Sequence, residues 1–316
     1  MRESRTFAER TKISESDRTV KKYFLIYEGS DTEQIYFNAV NNARIAIGIN
    51  PLIELIPIVR SHSEAGWSNP KKILDRIIKD IEESKTGLIS YETMLNRIMD
   101  YFNEEKVFGT DKSSKTIWDL LIFICRNKLC KLLNETVEDL ETECIKIISL
   151  LTDELKTENI ISDISEVIKN GGITYAEDID KICLIVDRDR KSFISAPGNN
   201  QYTYVMNKCK EKNFGFYVTN PCFEFWLMLH FDEVLTIDES KMLINPKVTA
   251  KRNYAEVELR KMIPNYKKTR YDAETLVNNI DNAIENEKKF CEDIEELESS
   301  LGSNVGKLIV EMRMNQ

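Results

Sequence analysis

Two apolar runs that each stop at an acidic residue constrain this chain more than any other feature. Residues 22–27 (KYFLIY) are aromatic and branched and end at Glu28-Gly29, and residues 181–186 (KICLIV) end at Asp187-Arg188-Asp189. Short runs without polar alternation read as strands covered on both faces, the pattern of a parallel sheet with helices above and below. Helical spacing surrounds them. A helix is expected over 31–42, behind Ser30 or Asp31 as cap, with Ile35, Tyr36, Ala39 and Val40 on one face. A strand over 52–59 and a helix over 70–83 follow. Beyond 186 the pattern predicts a helix over 200–212, a strand over 214–218, and a helix opening at Asn220-Pro221 with Asn220 as its cap.

Between these two groups the periodicity is helical throughout, clearest over 120–133 and 140–155. The expected fold is α/β: a parallel sheet flanked by helices, with a long helical insertion and a helical C-terminal part. The boundaries read as a mobile N-terminal tail (1–20), the first part of the core (21–84), the insertion (85–172), the second part of the core (173–235) and the C-terminal helical region (236–316). Within the last, 274–298 reads as one long charged helix.

In an open parallel sheet, ligands gather at the carboxyl ends of the strands. Glu28 and Asp187 stand there, each directly after a strand. Hydrolysis of a phosphodiester builds negative charge that a cation must offset, and Mg2+ or Mn2+ takes carboxylate oxygens and water as ligands. Asp187 and Asp189 at i and i+2 can flank one ion, and Glu28 can bind it or move a proton. Crowded like charges repel unless a cation pairs them, so such a cluster predicts a metal. Taken alone, a DxD is more often a surface feature than a site.

Composition narrows the chemistry. With two histidines in 316 residues a histidine-rich metal site is excluded, and seven dispersed cysteines, none in a CxxC pair, read as reduced packing thiols. No apolar run is long enough to span a bilayer, and the charged N-terminus lacks a signal-peptide core, so a cytoplasmic protein with no membrane partner is expected. A net charge of −9 argues against a protein that simply coats nucleic acid. Residues 241–270, however, hold nine Lys or Arg against Glu256 and Glu258. From that stretch Lys267 and Lys268, with Arg260 and Arg270, are the expected contacts to a nucleic-acid backbone. The competing reading is a solvated face that balances the acidic segment 135–166.

Three blocks carry a family resemblance. FLIYEGSDTEQIYF holds Glu28-Gly29-Ser30-Asp31-Thr32-Glu33 followed by Tyr36-Phe37; ICLIVDRDRKS holds the DxD; TNPCFEFWLMLHF holds Asn220, Pro221, Cys222, Phe223, Glu224, Trp226 and His230. In this order they resemble the motifs of RloB-like proteins of the TOPRIM superfamily, with a weaker echo at Tyr266-Lys267-Lys268 and around 302–305. The resemblance covers 22–83 and 175–312, while the helical block between them is longer than the pattern leads one to expect. It implies a TOPRIM-like sheet, metal-dependent nuclease activity on DNA or RNA, and a place in bacterial antiphage or abortive-infection defence, often beside a separate ATPase. It also implies acid/base chemistry for Glu28 and metal binding for Asp187 and Asp189.

The remaining candidates have two readings each. Glu33 and Glu224 lie in first helical turns, where a carboxylate favours the helix N-terminus, or they belong to the site, Glu33 as a metal ligand and Glu224 as a catalytic group. His230 is either structural or catalytic. Phe223, Trp226, Leu227 and Phe231 have the spacing of core residues. Two other functions compete with the nuclease. A haloacid-dehalogenase-like phosphatase also places a DxD after a strand, but Lys191 stands where its Thr is expected, and the EGxxTE block has no place in it. A non-catalytic TOPRIM-fold interaction subunit would keep the fold without the chemistry.

Overall fold

The computed structural model describes residues 20–29, 31–58, 69–104, 114–155, 175–188, 193 and 201–314. Asp189 and all of the expected N-terminal tail except Val20 lie outside them. The described residues fall into two compact units: 75–104, 114–155 and 175 form one, and the rest form the other.

The larger unit is built on a sheet. Strand β1 (Lys21–Tyr27) leads into helix α1 (Thr32–Ala43), and β2 (Ile53–Ile58) leads towards α2 (Pro70–Thr86), whose first residues belong to this unit. Strand β3 (Lys181–Asp187), helix α6 (Tyr202–Glu211), strand β4 (Gly215–Asn220) and helix α7 (Phe223–Met228) follow the smaller unit in sequence. The sheet order is β2-β1-β3-β4-β7, where β7 is Gly302–Ser303. β1 pairs in parallel with both β2 and β3, and β3 pairs in parallel with β4, while β7 runs antiparallel to β4. This arrangement, mostly parallel and flanked by helices, matches the expected class and is consistent with a TOPRIM-like α/β fold.

The continuous apolar runs have the predicted cause. Tyr23, Leu25, Cys183 and Ile185 enter a core shared with α1, α7 and the C-terminal helices. Phe24, Ile26, Ile182 and Leu184 alternate onto the other face and are equally buried. Each such side chain contributes about 1.5–3 kcal/mol by leaving water.

The C-terminal region departs from the expected single long helix over 274–298. After a short 3-10 turn (Asp232–Thr236) come α8 (Glu239–Ile244), a hairpin of β5 (Lys247–Thr249) and β6 (Arg252–Asn253), and α9 (Tyr254–Met262). Then α10 (Ala273–Asn278), α11 (Ile280–Glu287), a 3-10 turn (Glu296–Glu298) and α12 (Val305–Met314) complete the chain. Tertiary demand breaks the helix. The Asn286 amide donates to Leu229 O at 2.9 Å, and Phe290 turns inward to meet Phe225 edge-on at 5.1 Å. The helix expected to open at Asn220-Pro221 starts later, at Phe223. Asn220 is the last residue of β4 and its amide donates to Leu297 O instead of capping.

The smaller unit is helical. With the rest of α2 it comprises α3 (Tyr91–Glu104), α4 (Ser114–Phe123) running into a π-helical turn (Ile124–Lys128), and α5 (Leu140–Leu155). Its own core includes Met94, Leu95, Ile98, Leu121, Cys144, Ile147 and Leu151. The helix expected over 120–133 stops short because the π turn widens it and Cys130 takes a positive φ of 54°.

Candidate active site

The parallel register sets β1 and β3 side by side and ends both at the same edge. Tyr27 pairs with Ile185, and the ladder continues one step further as Glu28 N donates to Ile185 O at 3.1 Å. Glu28 and Asp187 therefore emerge as neighbours. Oε2 of Glu28 accepts from Asp187 N at 3.0 Å, and Oδ1 of Asp187 accepts from Phe223 N at 2.8 Å. The second bond occupies an N–H at the start of α7 that has no partner within that helix. Together the two bonds tie the end of β1, the end of β3 and the start of α7 to one point.

Helices α1 and α7 bring two further carboxylates. Glu33, in the first turn of α1, folds back so that Oε1 accepts from Gly29 N at 3.3 Å. A Cβ at position 29 would collide with the Glu33 carboxylate, so the glycine of the EG pair makes room for this return. Glu224, in the first turn of α7, is 3% exposed and meets Lys268 Nζ at 2.7 Å. Glu28, Glu33, Asp187, Glu224, Phe223 and Lys268 line one open cleft of about 290 Å³.

The electrostatics follow from burial and crowding. Burial, then Glu33, Glu28 and Glu224, push the Asp187 carboxyl well above the ordinary aspartate range. Burial likewise raises Glu33, with Glu224 adding to it and Lys268 opposing it. Burial alone would raise Glu224 too, but the Lys268 ammonium beside it holds its carboxyl below the usual value. Lys268 is in turn held in its charged form by Glu224. Among the described residues, the cleft is thus a nest of carboxylates with Lys268 as its one lining cation.

Lys268 is delivered by a strap after α9. Its backbone O accepts from Thr32 Oγ1 at 3.3 Å, and Tyr271 OH donates to Thr32 O at 2.6 Å, so the strap is fastened to the start of α1. Within it Lys267 and Arg270 exchange backbone hydrogen bonds across a tight turn and both side chains are exposed. Arg260 points elsewhere, donating to Tyr266 O. The four basic residues singled out by sequence thus differ: Lys268 enters the cleft, Lys267 and Arg270 flank it on the strap, and Arg260 braces the strap from behind.

His230 does not reach the cleft. It is 1% exposed, one ring nitrogen meets Tyr36 OH at 3.0 Å, and the other lies 3.1 Å from Leu227 O. Burial lowers its pKa to about 4, so the ring is neutral. Its work is to hold α1 against α7, the helices that carry Glu33 and Glu224. This placement is the structural of its two readings.

Sequence reasoning missed the strap and Arg188. The Arg188 guanidinium stacks over Phe193 and Tyr202 at 5.5 and 5.4 Å and pairs with Glu298 at 3.6 Å. An arginine inside a DxD, followed by an aromatic, was the available signal.

The donor set suits a hard divalent cation, because buried carboxylate oxygens are what Mg2+ and Mn2+ prefer. Glu28 and Asp187 supply two of them. Among the described residues no group of three or more acidic, cysteine or histidine side chains is placed to hold a metal ion, and Asp189 lies outside those residues.

Among the described residues no helix is long and apolar enough to cross a membrane. Searches of curated proteins and of solved structures each found no match. A family model described as RloB-like protein matches residues 23–312, nearly the whole chain and all three motif blocks. On that match the chain belongs to the RloB-like protein family.

Proposed function

We propose that this protein is a TOPRIM-type nuclease that hydrolyses phosphodiester bonds in DNA or RNA with the help of Mg2+ or Mn2+. The observation that carries the reading is the meeting of Glu28 and Asp187 at one sheet edge, in a cleft where burial and then further carboxylates raise Asp187 well above its ordinary pKa. Such an excess of like charge is costly unless a cation offsets it.

Asp187 and Asp189, with Glu28 and Glu33, are the residues that would hold the ion. When bound, it supplies charge neutralisation at the phosphoryl oxygens and a more acidic water. Phe223 N–H fixes the Asp187 carboxylate, and Asp187 N–H fixes that of Glu28. Glu28 is thereby oriented to accept or donate the proton in the hydrolytic step, a role worth about 10²–10⁴ in rate. Glu224 keeps the Lys268 ammonium at the cleft, where it gives an entering phosphate a positive contact. Lys267 and Arg270, exposed on the same strap, extend that contact along the backbone. A role in bacterial antiphage or abortive-infection defence, beside a separate ATPase, rests on the family resemblance alone.

The test is a cleavage assay on duplex DNA, single-stranded DNA and RNA with Mg2+ or Mn2+ and with EDTA, alongside p-nitrophenyl phosphate. Nucleotide release that needs the metal and is lost in Glu28→Gln is expected. Hydrolysis of the monoester alone would favour a phosphatase using the DxD, no hydrolysis at all would favour a non-catalytic subunit, and near-normal cleavage by Glu28→Gln would remove Glu28 from the mechanism.

A further inference from the structure

The basic residues of 241–270 separate according to what they touch. Lys268 is committed to Glu224, and Arg260 to Tyr266 O. Lys241 pairs with Asp238 at 3.5 Å, Arg252 with Glu256 at 3.2 Å, and Lys261 with Glu258 at 2.6 Å. Among the described residues, Lys247, Lys251, Lys267 and Arg270 take part in no ion pair. Two of these, Lys267 and Arg270, are on the strap. The other two, Lys247 and Lys251, sit on the β5–β6 hairpin, away from the residues that line the cleft.

That hairpin has no part in the core. All residues of both strands are exposed, and a two-stranded ribbon this short gains little stability of its own. Its base, by contrast, is firmly tied. Asn245 turns the chain out of α8 at a positive φ of 44°; its Oδ1 accepts from Ala255 N at 2.9 Å and its Nδ2 lies 3.6 Å from Cys222 Sγ. Tyr254 N donates to Pro246 O at 2.9 Å. Cys222 directly precedes Phe223 and Glu224, which line the cleft. The hairpin is an exposed arm anchored at the cleft wall.

We propose that this arm grips the phosphate backbone of a polynucleotide through Lys247 and Lys251, outside the cleft that holds the scissile bond. The inference deepens the nuclease reading and rests on it. Charge complementarity selects this occupant: the chain carries a net charge of −9, yet among the described residues these two cations pair with no carboxylate. The arm and the strap stand at opposite ends of α9, a helix of nine residues. At 1.5 Å per residue that is about 14 Å, a length of duplex that carries about eight phosphate charges at one per 1.7 Å. A strand held at both would be gripped beyond the cleft as well as at Lys268 within it.

The test uses the full chain and fluorescein-labelled duplex DNA and single-stranded RNA, with binding followed by anisotropy from low to high KCl in Ca2+. Lys247→Gln/Lys251→Gln should bind the preferred polymer about tenfold more weakly at low salt. The slope of log affinity against log salt should be shallower by roughly 0.7–0.9 per lysine. Circular dichroism and Mn2+ binding by calorimetry should match wild type, because both residues are exposed and neither lines the cleft. Slopes and affinities equal to wild type would overturn the proposal. So would wild-type binding of neither polymer with hairpin-dependent binding of an acidic peptide or of phosphatidylserine vesicles. Hairpin-dependent polymer binding without cleavage in Mn2+ would support the arm and count against the nuclease reading, so the two failures are distinguishable.

Discussion

The same sheet carries buried or half-buried carboxylates at both ends, and the two ends treat them in opposite ways. At the carboxyl ends of the strands, Glu28, Glu33, Asp187 and Glu224 crowd one cleft, and burial with mutual repulsion drives Asp187 up. At the other end Glu311 of α12 is met by Lys181 Nζ, by Tyr23 OH at 2.9 Å and by Tyr217 OH at 3.0 Å. Burial would raise Glu311, yet the Lys181 ammonium and the two phenols hold it below its usual value. Among the described residues, one end crowds carboxylates that raise one another and the other surrounds its carboxylate with donors that lower it. A carboxylate that stabilises a fold is lowered by its neighbours; one that its neighbours raise marks a place where an outside cation would bring relief.

This contrast has a sign that mutation can read. Asp187→Asn is the largest expected effect. Nucleic-acid cleavage should fall at least about 100-fold, the upper end for disturbing the groups that support a metal. The metal-free variant should nonetheless melt higher than wild type. Asn keeps an acceptor for Phe223 N–H while removing the charge that its neighbours oppose. Addition of Mn2+ should then stabilise wild type and not the variant, as scanning calorimetry would show. A lower melting temperature for metal-free Asp187→Asn would mean that the cleft is not electrostatically strained.

Glu311→Gln should do the reverse. Loss of a charged acceptor with three donors costs about 1–3 kcal/mol, with the lower part of that range expected because Glu311 and Lys181 are 30% and 22% exposed. Urea unfolding would measure it, and Mn2+ binding should persist. If Glu311→Gln left stability untouched, the balanced end would be no more than a surface cluster.

The smallest effect is a pH trend in the metal-free protein. Asp187 has a raised folded-state pKa, so between its ordinary value of 3.8 and that raised value the folded state binds more protons than the unfolded one. Its contribution to stability therefore falls as pH rises through this window. Glu311, lowered, contributes stability above its ordinary value of 4.5 that is lost as pH falls. Melting curves of Asp187→Asn and Glu311→Gln across acid to neutral pH should diverge from wild type in opposite directions. Parallel curves would show that neither carboxyl differs from its unfolded state.

Much of the scaffold was legible because its strands are buried on both faces and so advertise themselves as continuous apolar runs. The α/β class and the shared edge of Glu28 and Asp187 follow from that, and the helix over 140–155 follows from its own helical spacing. What was not legible depends on contacts between residues remote in sequence. Charge spacing alone drew one helix over 274–298, since nothing local shows that Asn286 is needed at Leu229 O or Phe290 against Phe225. The cap assigned to Asn220 failed for the same reason: its amide is drawn to Leu297 O, and Asp187 occupies the first N–H of α7 instead. Composition marked 241–270 as basic but did not reveal that Lys268 alone of its cations is drawn into the cleft.

The outer strands of the sheet bear on how this protein shares a crowded solution with copies of itself. Unpaired strand edges invite further strands, and short length or proline blunts them. At one end β7 is only two residues long, and Gly302 is bridged on its far side by Cys291, whose carbonyl leaves no space for a Cβ. At the other, β2 carries Pro57 opposite Leu25, one amide donor fewer for any newcomer. Neither margin offers a clean template for growth, so the sheet is guarded against templated aggregation at the two places where it is most exposed to it.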